Sequence, residues 1–143
     1  FMARHPVYAQ KAKRLTTMVG VGLTTAYAFL AYCPELGTLS KKKILAIAGL
    51  APRTRQSGSK KMCESIGGGR SRLRRAAYMS ALVAIRCDPS IRAYYEGLAK
   101  RGKPKKMAIT AVMGKLLIYA NSITKRQIDF EKRDILRPDK KAA

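Results

Sequence analysis

A serine inside a strongly basic segment is the feature of this sequence with the clearest capacity for chemistry. Ser57 lies in Gly49-Leu-Ala-Pro-Arg-Thr-Arg-Gln-Ser-Gly58, and no acid occurs between Glu35 and Glu64. A phosphodiester is the ligand that such a segment attracts. A serine that attacks a phosphate forms a phosphoserine ester, and guanidinium groups stabilise the negative charge that gathers in the transition state. Two interpretations stay open: the segment only holds nucleic acid, or it also cuts it.

Cations before and after Ser57 form the candidate phosphate-binding set. Arginines crowd the start of a predicted helix near residue 71, where they oppose the helix dipole unless anions bind. We predict that one or two of the arginines stabilise the transition state, and Ser59 is the substitute nucleophile if the register differs. The candidates are Arg53, Arg55, Lys60, Lys61, Arg70, Arg72, Arg74, Arg75, Lys103, Lys105 and Lys106.

The charge of the whole chain supports a polyanionic partner. Thirty Lys and Arg face eight Asp and Glu, a net charge of +22. Residues 41–106 contain 18 of the basic and 3 of the acidic residues, which predicts that the polyanion binds to this part of the chain. A membrane surface is the weaker alternative, because the cations are spread over loops and several helices instead of one amphipathic face.

Other reaction classes find few suitable residues. Glu35 and Glu64 are isolated in the sequence, and the remaining clustered acids fall in a polar tail, so no magnesium site is expected in this chain. His5 is the only histidine, which excludes a histidine-based triad. The three cysteines, Cys33, Cys63 and Cys87, lack zinc-ligand spacing and are predicted to be buried or half-buried thiols.

The elements that position these residues are predicted to be all α-helical. Apolar periodicity and capping residues indicate about six helices, at residues 7–17, 23–33, 41–48 and 71–86, then from Pro89 to about Arg101, and from Pro104 onwards. A long basic loop spans residues 50–70. In the fourth helix Tyr78, Ala81, Leu82 and Ile85 are predicted to share the buried face. Residues 126–143 are predicted to be a charged, frayed tail.

The first two helices form a helix-hairpin-helix pattern. Gly20 and Gly22 would let the backbone approach a phosphate, and the second helix would offer free N–H donors beside Thr24 and Thr25. An ordinary turn between packed helices is the alternative interpretation. A membrane span over residues 15–34 is disfavoured, because four threonines and two glycines interrupt it.

Motifs in unbroken order over residues 13–124 resemble the C-terminal domain of one transposase class, the insertion-sequence family related to the pilin-gene invertases and also called bridge-RNA-guided recombinases. These motifs are Gly20-Val-Gly22-x-x-Thr25-Ala26, Gly49-Leu-Ala-Pro-Arg53, Ser57-Gly58, Ile66-Gly-Gly-Gly-Arg70, Leu73-Arg-Arg-Ala-x-Tyr78-Met79, Ala84-Ile-Arg86-x-x-Pro89, Tyr95, Arg101-Gly-Lys-Pro-Lys-Lys106 and Lys115-Leu-Leu117.

The resemblance implies roles for several residues. Ser57 matches the family's serine nucleophile, and Gly20 and Gly22 match its hairpin turn. The family's full enzyme adds an N-terminal RNase-H-like domain with four carboxylates, which would hold magnesium, and a coiled-coil segment. The resemblance implies DNA as partner, guide RNA as a second partner, a homotetramer, no membrane, and a cytoplasmic, nucleoid-associated location in a bacterium or archaeon.

The domain organisation expected from the resemblance has three parts. Residues 1–17 would end the linker or coiled-coil helix, residues 18–125 would form the helical transposase domain, and residues 126–143 the tail. Two departures stand out: the carboxylate domain is absent from this sequence, so the isolated chain is expected to be inactive, and Gly114 replaces a usual arginine.

We therefore predict a nucleic-acid-binding and strand-transfer domain of a DNA transposase or recombinase. A non-catalytic helix-hairpin-helix module for DNA or RNA is the alternative, and a structural RNA-binding protein is a third.

Overall fold

The computed structural model describes residues 4–51 and 68–128, together with the backbone of residues 56–57 and 60–61. The helices are α1 (Pro6–Leu15), α2 (Leu23–Tyr32), α3 (Lys41–Ala48), α4 (Ser71–Cys87), α5 (Pro89–Lys100) and α6 (Lys105–Arg126). Between α3 and α4, β1 (Gln56–Ser57) pairs antiparallel with β2 (Lys60–Lys61). This two-residue pair does not form a core sheet, and the predicted all-α class is confirmed.

Local sequence sets the starts of α3 and α5 and the end of α3. The Ser40 side chain accepts a hydrogen bond from the Lys43 N–H, which caps α3, and Gly49 ends the same helix with φ +72°. The Asp88 carboxylate accepts from the Ser90 N–H, and Pro89 occupies the first position of α5. The predicted starts and ends of α3 and α5 are therefore confirmed.

The connection between α1 and α2 spans residues 16–22, which is longer than the predicted helices at 7–17 and 23–33 would leave. The hydroxyls of Thr16 and Thr17 donate to the carbonyls of Lys13 and Arg14, each at 2.6 Å. These bonds accompany the end of α1 at Leu15, two residues before the predicted end at 17. Because α1 buries Ala12 and Leu15 completely, it packs into the same core as the later helices.

Helices α4 and α6 form the centre of the molecule. Helix α6 packs against α1, α3, α4 and α5, while α4 also contacts α2 and α5. An apolar stripe of α6 is buried in the core and consists of Val112, Met113, Leu116, Leu117 and Ala120. By length and composition α6 could cross a membrane, but 56% of its apolar stretch is buried inside the molecule, as in a core helix.

The buried face of α4 differs from the predicted one. Tyr78 is 42% exposed, and Leu82 and Ile85 are half-buried. Ala81 is buried as predicted, and the rest of the interior face consists of Leu73 and the small residues Ala77, Ser80 and Ala84. Small residues let neighbouring backbone approach closely, as where a Cβ on Gly20 would lie 2.5 Å from the Ser80 carbonyl oxygen. The prediction was wrong at Tyr78, and it gave too much burial to Leu82 and Ile85, because it followed the larger apolar residues.

Gly114, which replaces the usual arginine of the resembling family, faces α3. It is buried in α6, and a Cβ there would lie 3.0 Å from Cδ2 of Leu45. A longer side chain at this position would have to displace Leu45 before it reached solvent.

The thiols differ from the prediction at one position. Cys33 is buried as predicted, whereas Cys87 is exposed at the end of α4. Cys63 lies outside the described residues, as do residues 129–143 of the predicted tail.

Candidate nucleic-acid interface

The two ends of the basic loop meet at a neck, which we define as residues 47–49 and 68–70. The N–H of Arg70 donates to the carbonyl of Ile47 at 2.7 Å. A Cβ on Gly69 would lie 2.5 Å from the Gly49 nitrogen, and one on Gly49 would overlap the Gly68 carbonyl oxygen. Both glycines have positive φ, +72° at Gly49 and +62° at Gly69. The contact thus requires glycine at each end for both conformation and space.

Arg74 binds across this neck from the first turn of α4. Its Nη1 donates to the carbonyl oxygen of Gly68 at 2.6 Å and to that of Ala48 at 3.3 Å. These carbonyls belong to the two opposite ends of the loop, so one guanidinium joins them. The Ala48 carbonyl at the end of α3 and the Gly68 carbonyl before α4 thus each accept a hydrogen bond from a charged group.

Arg70 fixes the second end of the loop to the connection between α2 and α3. Its Nη1 and Nη2 donate to the two carboxylate oxygens of Glu35 at 2.8 and 2.7 Å, and Nη1 also donates to the Tyr32 carbonyl at 3.0 Å. This fork geometry is the strong form of an arginine–carboxylate pair. The bonds from Arg70 lower the pKa of Glu35 to about 2, and Glu35 in turn raises the pKa of Arg70. Glu35, isolated in the sequence, is therefore paired in the structure.

Two further contacts hold the connection that carries Glu35. The side chain of Asn121 on α6 accepts from the Gly37 N–H and donates to the Leu39 carbonyl, both at 2.7 Å. Beside Glu35, burial raises the pKa of the Cys33 thiol, and the negative charge of Glu35 adds to that effect. The connection between α2 and α3 is thus anchored on α6 on one side and on the neck on the other.

Glu35 and Asn121 belong to the site but are not predicted from the sequence. Their partners lie 35 and more than 80 residues away along the chain, beyond the reach of spacing arguments. The one available signal for Glu35 was its occurrence as an acid ahead of a long basic stretch.

Exposed cations lie on α4 beyond the neck. Arg75 is exposed, and the exposed Arg72 places its guanidinium carbon 5.8 Å from the centre of the Tyr32 ring. Lys103 is exposed in the turn between α5 and α6, and Lys105 and Lys106 are exposed in the first turn of α6. Of the four predicted arginines at α4, Arg72 and Arg75 therefore face solvent, while Arg70 and Arg74 make internal hydrogen bonds.

The turn between α1 and α2 lies on a different part of α4. Gly20, with φ +87°, packs against Ser80 and Ala84, so its conformation serves helix packing. Gly22, as the N-cap of α2, has no side-chain cap and open space beside its Cα. Thr24 is exposed and Thr25 half-buried. Because Arg70 precedes Ser80 by ten residues on one helix, about 15 Å separates the turn from the neck.

The remaining predicted residues belong to the loop itself. Ser57 lies in β1 opposite Lys60, and Lys61 pairs with Gln56. The side chains of Ser57, Lys60 and Lys61 lie outside the described residues, as do Arg53, Arg55 and Ser59 entirely. Their roles stay predictions.

Comparison with known proteins identifies a family match in the region that contains this site. Residues 12–96 match the model of the family described as "Transposase IS116/IS110/IS902 family". That range includes the turn between α1 and α2, the basic loop with its neck, and α4.

Individual relatives agree with the family match. The chain is 34% identical to the pilin gene-inverting protein of Moraxella lacunata over 132 residues, which cover 90% of the chain and 41% of that protein. Over 106 residues it is 36% identical to the insertion element IS900 uncharacterized 42 kDa protein of Mycobacterium paratuberculosis, covering 71% of the chain and 26% of that protein. The insertion element IS110 uncharacterized 43.6 kDa protein of Streptomyces coelicolor is 37% identical over 97 residues, 66% of the chain and 24% of that protein. The chain spans about two fifths or less of the length of these curated relatives.

Proposed function

This chain belongs to the IS116/IS110/IS902 transposase family, and from that membership we propose that it is the strand-transfer domain of a DNA transposase or site-specific recombinase. In this proposal Ser57 attacks a DNA phosphodiester. The Ser57 hydroxyl loses its proton as its oxygen forms a bond to phosphorus. The bond from phosphorus to one deoxyribose oxygen breaks, and that oxygen takes up a proton and leaves as the 3′ or 5′ hydroxyl of the released strand. Attack by a hydroxyl of another strand on the phosphoserine ester restores Ser57 and joins the new pair.

One observation carries the proposal: the segment with Ser57 and four cations begins and ends at a neck of touching glycines. Arg53, Arg55, Lys60 and Lys61 lie in the same segment, and the exposed Arg72 and Arg75 follow the neck on α4. A closed loop limits the positions that Ser57 can take relative to those arginines. Phosphoryl transfer requires a nucleophile that is held close to charge-stabilising groups.

The proposal includes partners beyond this chain. An RNase-H-like domain would supply carboxylates and magnesium, and four copies would bring two DNA segments together. Guide RNA would share the basic surface with DNA, and the assembly would act in the cytoplasm on the nucleoid. The proposed contacts to phosphates are the exposed Arg72 and Arg75, the four cations of the basic loop, and Lys103, Lys105 and Lys106.

A non-catalytic helix-hairpin-helix module is the second candidate. The start of α2 favours it, because no side chain caps its free N–H groups and Gly22 and Thr24 are exposed. Free N–H groups at a helix start bind phosphate oxygens. This candidate predicts DNA or RNA binding without a covalent intermediate.

Strand transfer and binding alone can be distinguished with a protein that carries this chain together with the carboxylate domain. We expect it to form a covalent DNA adduct that resists denaturation, and Ser57→Ala to abolish the adduct while DNA binding persists. Ser59→Ala is the matched control and should keep the adduct. An adduct that survives Ser57→Ala would exclude Ser57 as nucleophile, and binding without any adduct would favour the hairpin module.

A further inference from the structure

Arg70 is the residue where the neck and the connection between α2 and α3 meet. Its backbone N–H bonds to Ile47 at the end of α3, and its side chain bonds to Glu35 and to the Tyr32 carbonyl. The connection is itself held on α6 through Asn121. The second end of the basic loop is therefore tied through Arg70 to α2 and α3, and through the connection that carries Glu35 to Asn121 on α6.

For nucleic-acid binding alone, a carboxylate at this place is unfavourable. Glu35 is negatively charged at neutral pH, because its pKa is about 2. It neutralises one cation of the basic region and repels a nearby phosphate. A surface built only for affinity would bind better without it, so the presence of Glu35 calls for another role.

We propose that Glu35 is a positioning residue, which acts through Arg70 to fix the basic loop, and with it Ser57, against the helical body. This inference rests on the proposed strand transfer. It assigns Arg70 to the neck, in place of the direct phosphate contact that its sequence position predicts. Glu35 contributes to the rate of the chemical step and not to the affinity for nucleic acid.

The exposure of the pair makes the proposal testable by substitution. The side chains of Arg70 and Glu35 are 41% and 42% exposed, so changes there do not remove core packing. Glu96 on α5 is also exposed and provides a matched change of charge away from the neck.

The first experiment compares Glu35→Gln with Glu96→Gln in a protein that carries this chain and the carboxylate domain. We expect Glu35→Gln to slow strand transfer about tenfold or more, because small displacements of a nucleophile are costly. The Kd for DNA should stay equal or become lower. Glu96→Gln should leave the rate unchanged. An unchanged rate in Glu35→Gln would overturn the proposal.

A charge swap then tests whether the two residues act as a pair. Glu35→Arg and Arg70→Glu should each slow strand transfer, and the double variant should recover most of the lost rate. If the double variant is as slow as Arg70→Glu alone, Arg70 acts directly on phosphate and the positioning role is wrong.

Amide hydrogen exchange of the chain without nucleic acid separates this inference from the proposed function. Exchange at residues 47–49 and 68–70 should be faster in Glu35→Gln than in the unsubstituted chain, while α5 exchanges equally in both. Equal exchange at the neck would overturn the positioning inference whatever the activity. Absence of strand transfer in the unsubstituted protein, with the exchange difference present, would instead overturn the proposed function alone.

Discussion

At the scale of single residues, the arginines around the start of α4 separate into two kinds. Arg70 and Arg74 hold the neck through hydrogen bonds to Glu35, Gly68 and Ala48. Arg72 and Arg75 face solvent. From the sequence all four are predicted to bind phosphate. The hydrogen-bond partners that distinguish them lie in other elements and cannot be inferred from spacing.

The pairing of Glu35 with Arg70 predicts a pH dependence. The folded-state pKa of Glu35, about 2, lies below its ordinary value of 4.5, so the carboxylate stabilises the fold above pH 4.5. That contribution is lost as pH falls through about 2. The melting temperatures of the unsubstituted chain and of Glu35→Gln should therefore differ at pH 6 and converge between pH 4.5 and 2. Glu96→Gln is the control, and a difference that persists unchanged at pH 2 would contradict the assignment.

The glycine contact at the neck predicts a large effect from one methyl group. Gly69→Ala combines a positive φ with overlap of backbone atoms of Ile47 and Gly49, and should lower the free energy of unfolding by about 2 to 4 kcal/mol. Gly102 has a similar φ of +82° but open space around its Cα. Gly102→Ala should cost only about 1 kcal/mol, from conformation alone. Denaturant unfolding measures both, and equal costs would show that the neck contact does not matter.

At the scale of elements, the sequence predicts a helix end best where a capping residue, a glycine or a proline marks it. Ser40, Gly49, Asp88 and Pro89 define their helix ends through bonds within a few residues. The interior face of α4 is not predictable in this way, because it depends on which neighbours approach closely. The small residues on that face are explained by the close packing of Gly20 against Ser80 and Ala84.

The anchoring of the connection between α2 and α3 predicts a cost for Asn121→Ala. Its removal leaves the Gly37 N–H and the Leu39 carbonyl without the partners that they have in the structure. We expect a loss of about 2 kcal/mol in the free energy of unfolding. Ser122→Ala, on the next residue of α6, should change it by less than about 0.5 kcal/mol. Equal effects of the two substitutions in denaturant unfolding would contradict this anchoring role.

At the scale of the whole molecule, the chain consists of a helical body and a basic loop whose two ends meet at the neck. The all-α class and the cationic character follow from periodicity and composition, which are properties of the entire sequence. The closure of the loop does not, because it depends on contacts between residues 47–49, residues 68–70 and α4. These contacts join parts of the chain about twenty residues apart.

This organisation predicts that the loop can be replaced without loss of the body. Substituting residues 51–67 by a three-residue glycine-rich link should preserve the helical circular dichroism spectrum, because the ends already touch. DNA binding should persist. The slope of the logarithm of the binding constant against the logarithm of the salt concentration should become shallower by about 3 to 4, if each of the four loop cations neutralises one phosphate.

A loop of unchanged length with Arg53, Arg55, Lys60 and Lys61 all changed to Gln is the control for that experiment. It should show the same reduction in salt dependence. Collapse of the helical spectrum in the shortened variant would mean that the body requires the loop.

The central claim, that Ser57 forms the covalent bond to DNA, is tested most directly by locating that bond. A protein that carries this chain and the carboxylate domain is trapped on DNA, treated with nuclease, and cleaved with trypsin after Arg55 and Lys60. Mass spectrometry of the peptide from Gln56 to Lys60 should then find a nucleotide on Ser57. A nucleotide on Ser59 or on another peptide would contradict the account. So would a protein that transfers strands but whose peptide from Gln56 to Lys60 carries no nucleotide.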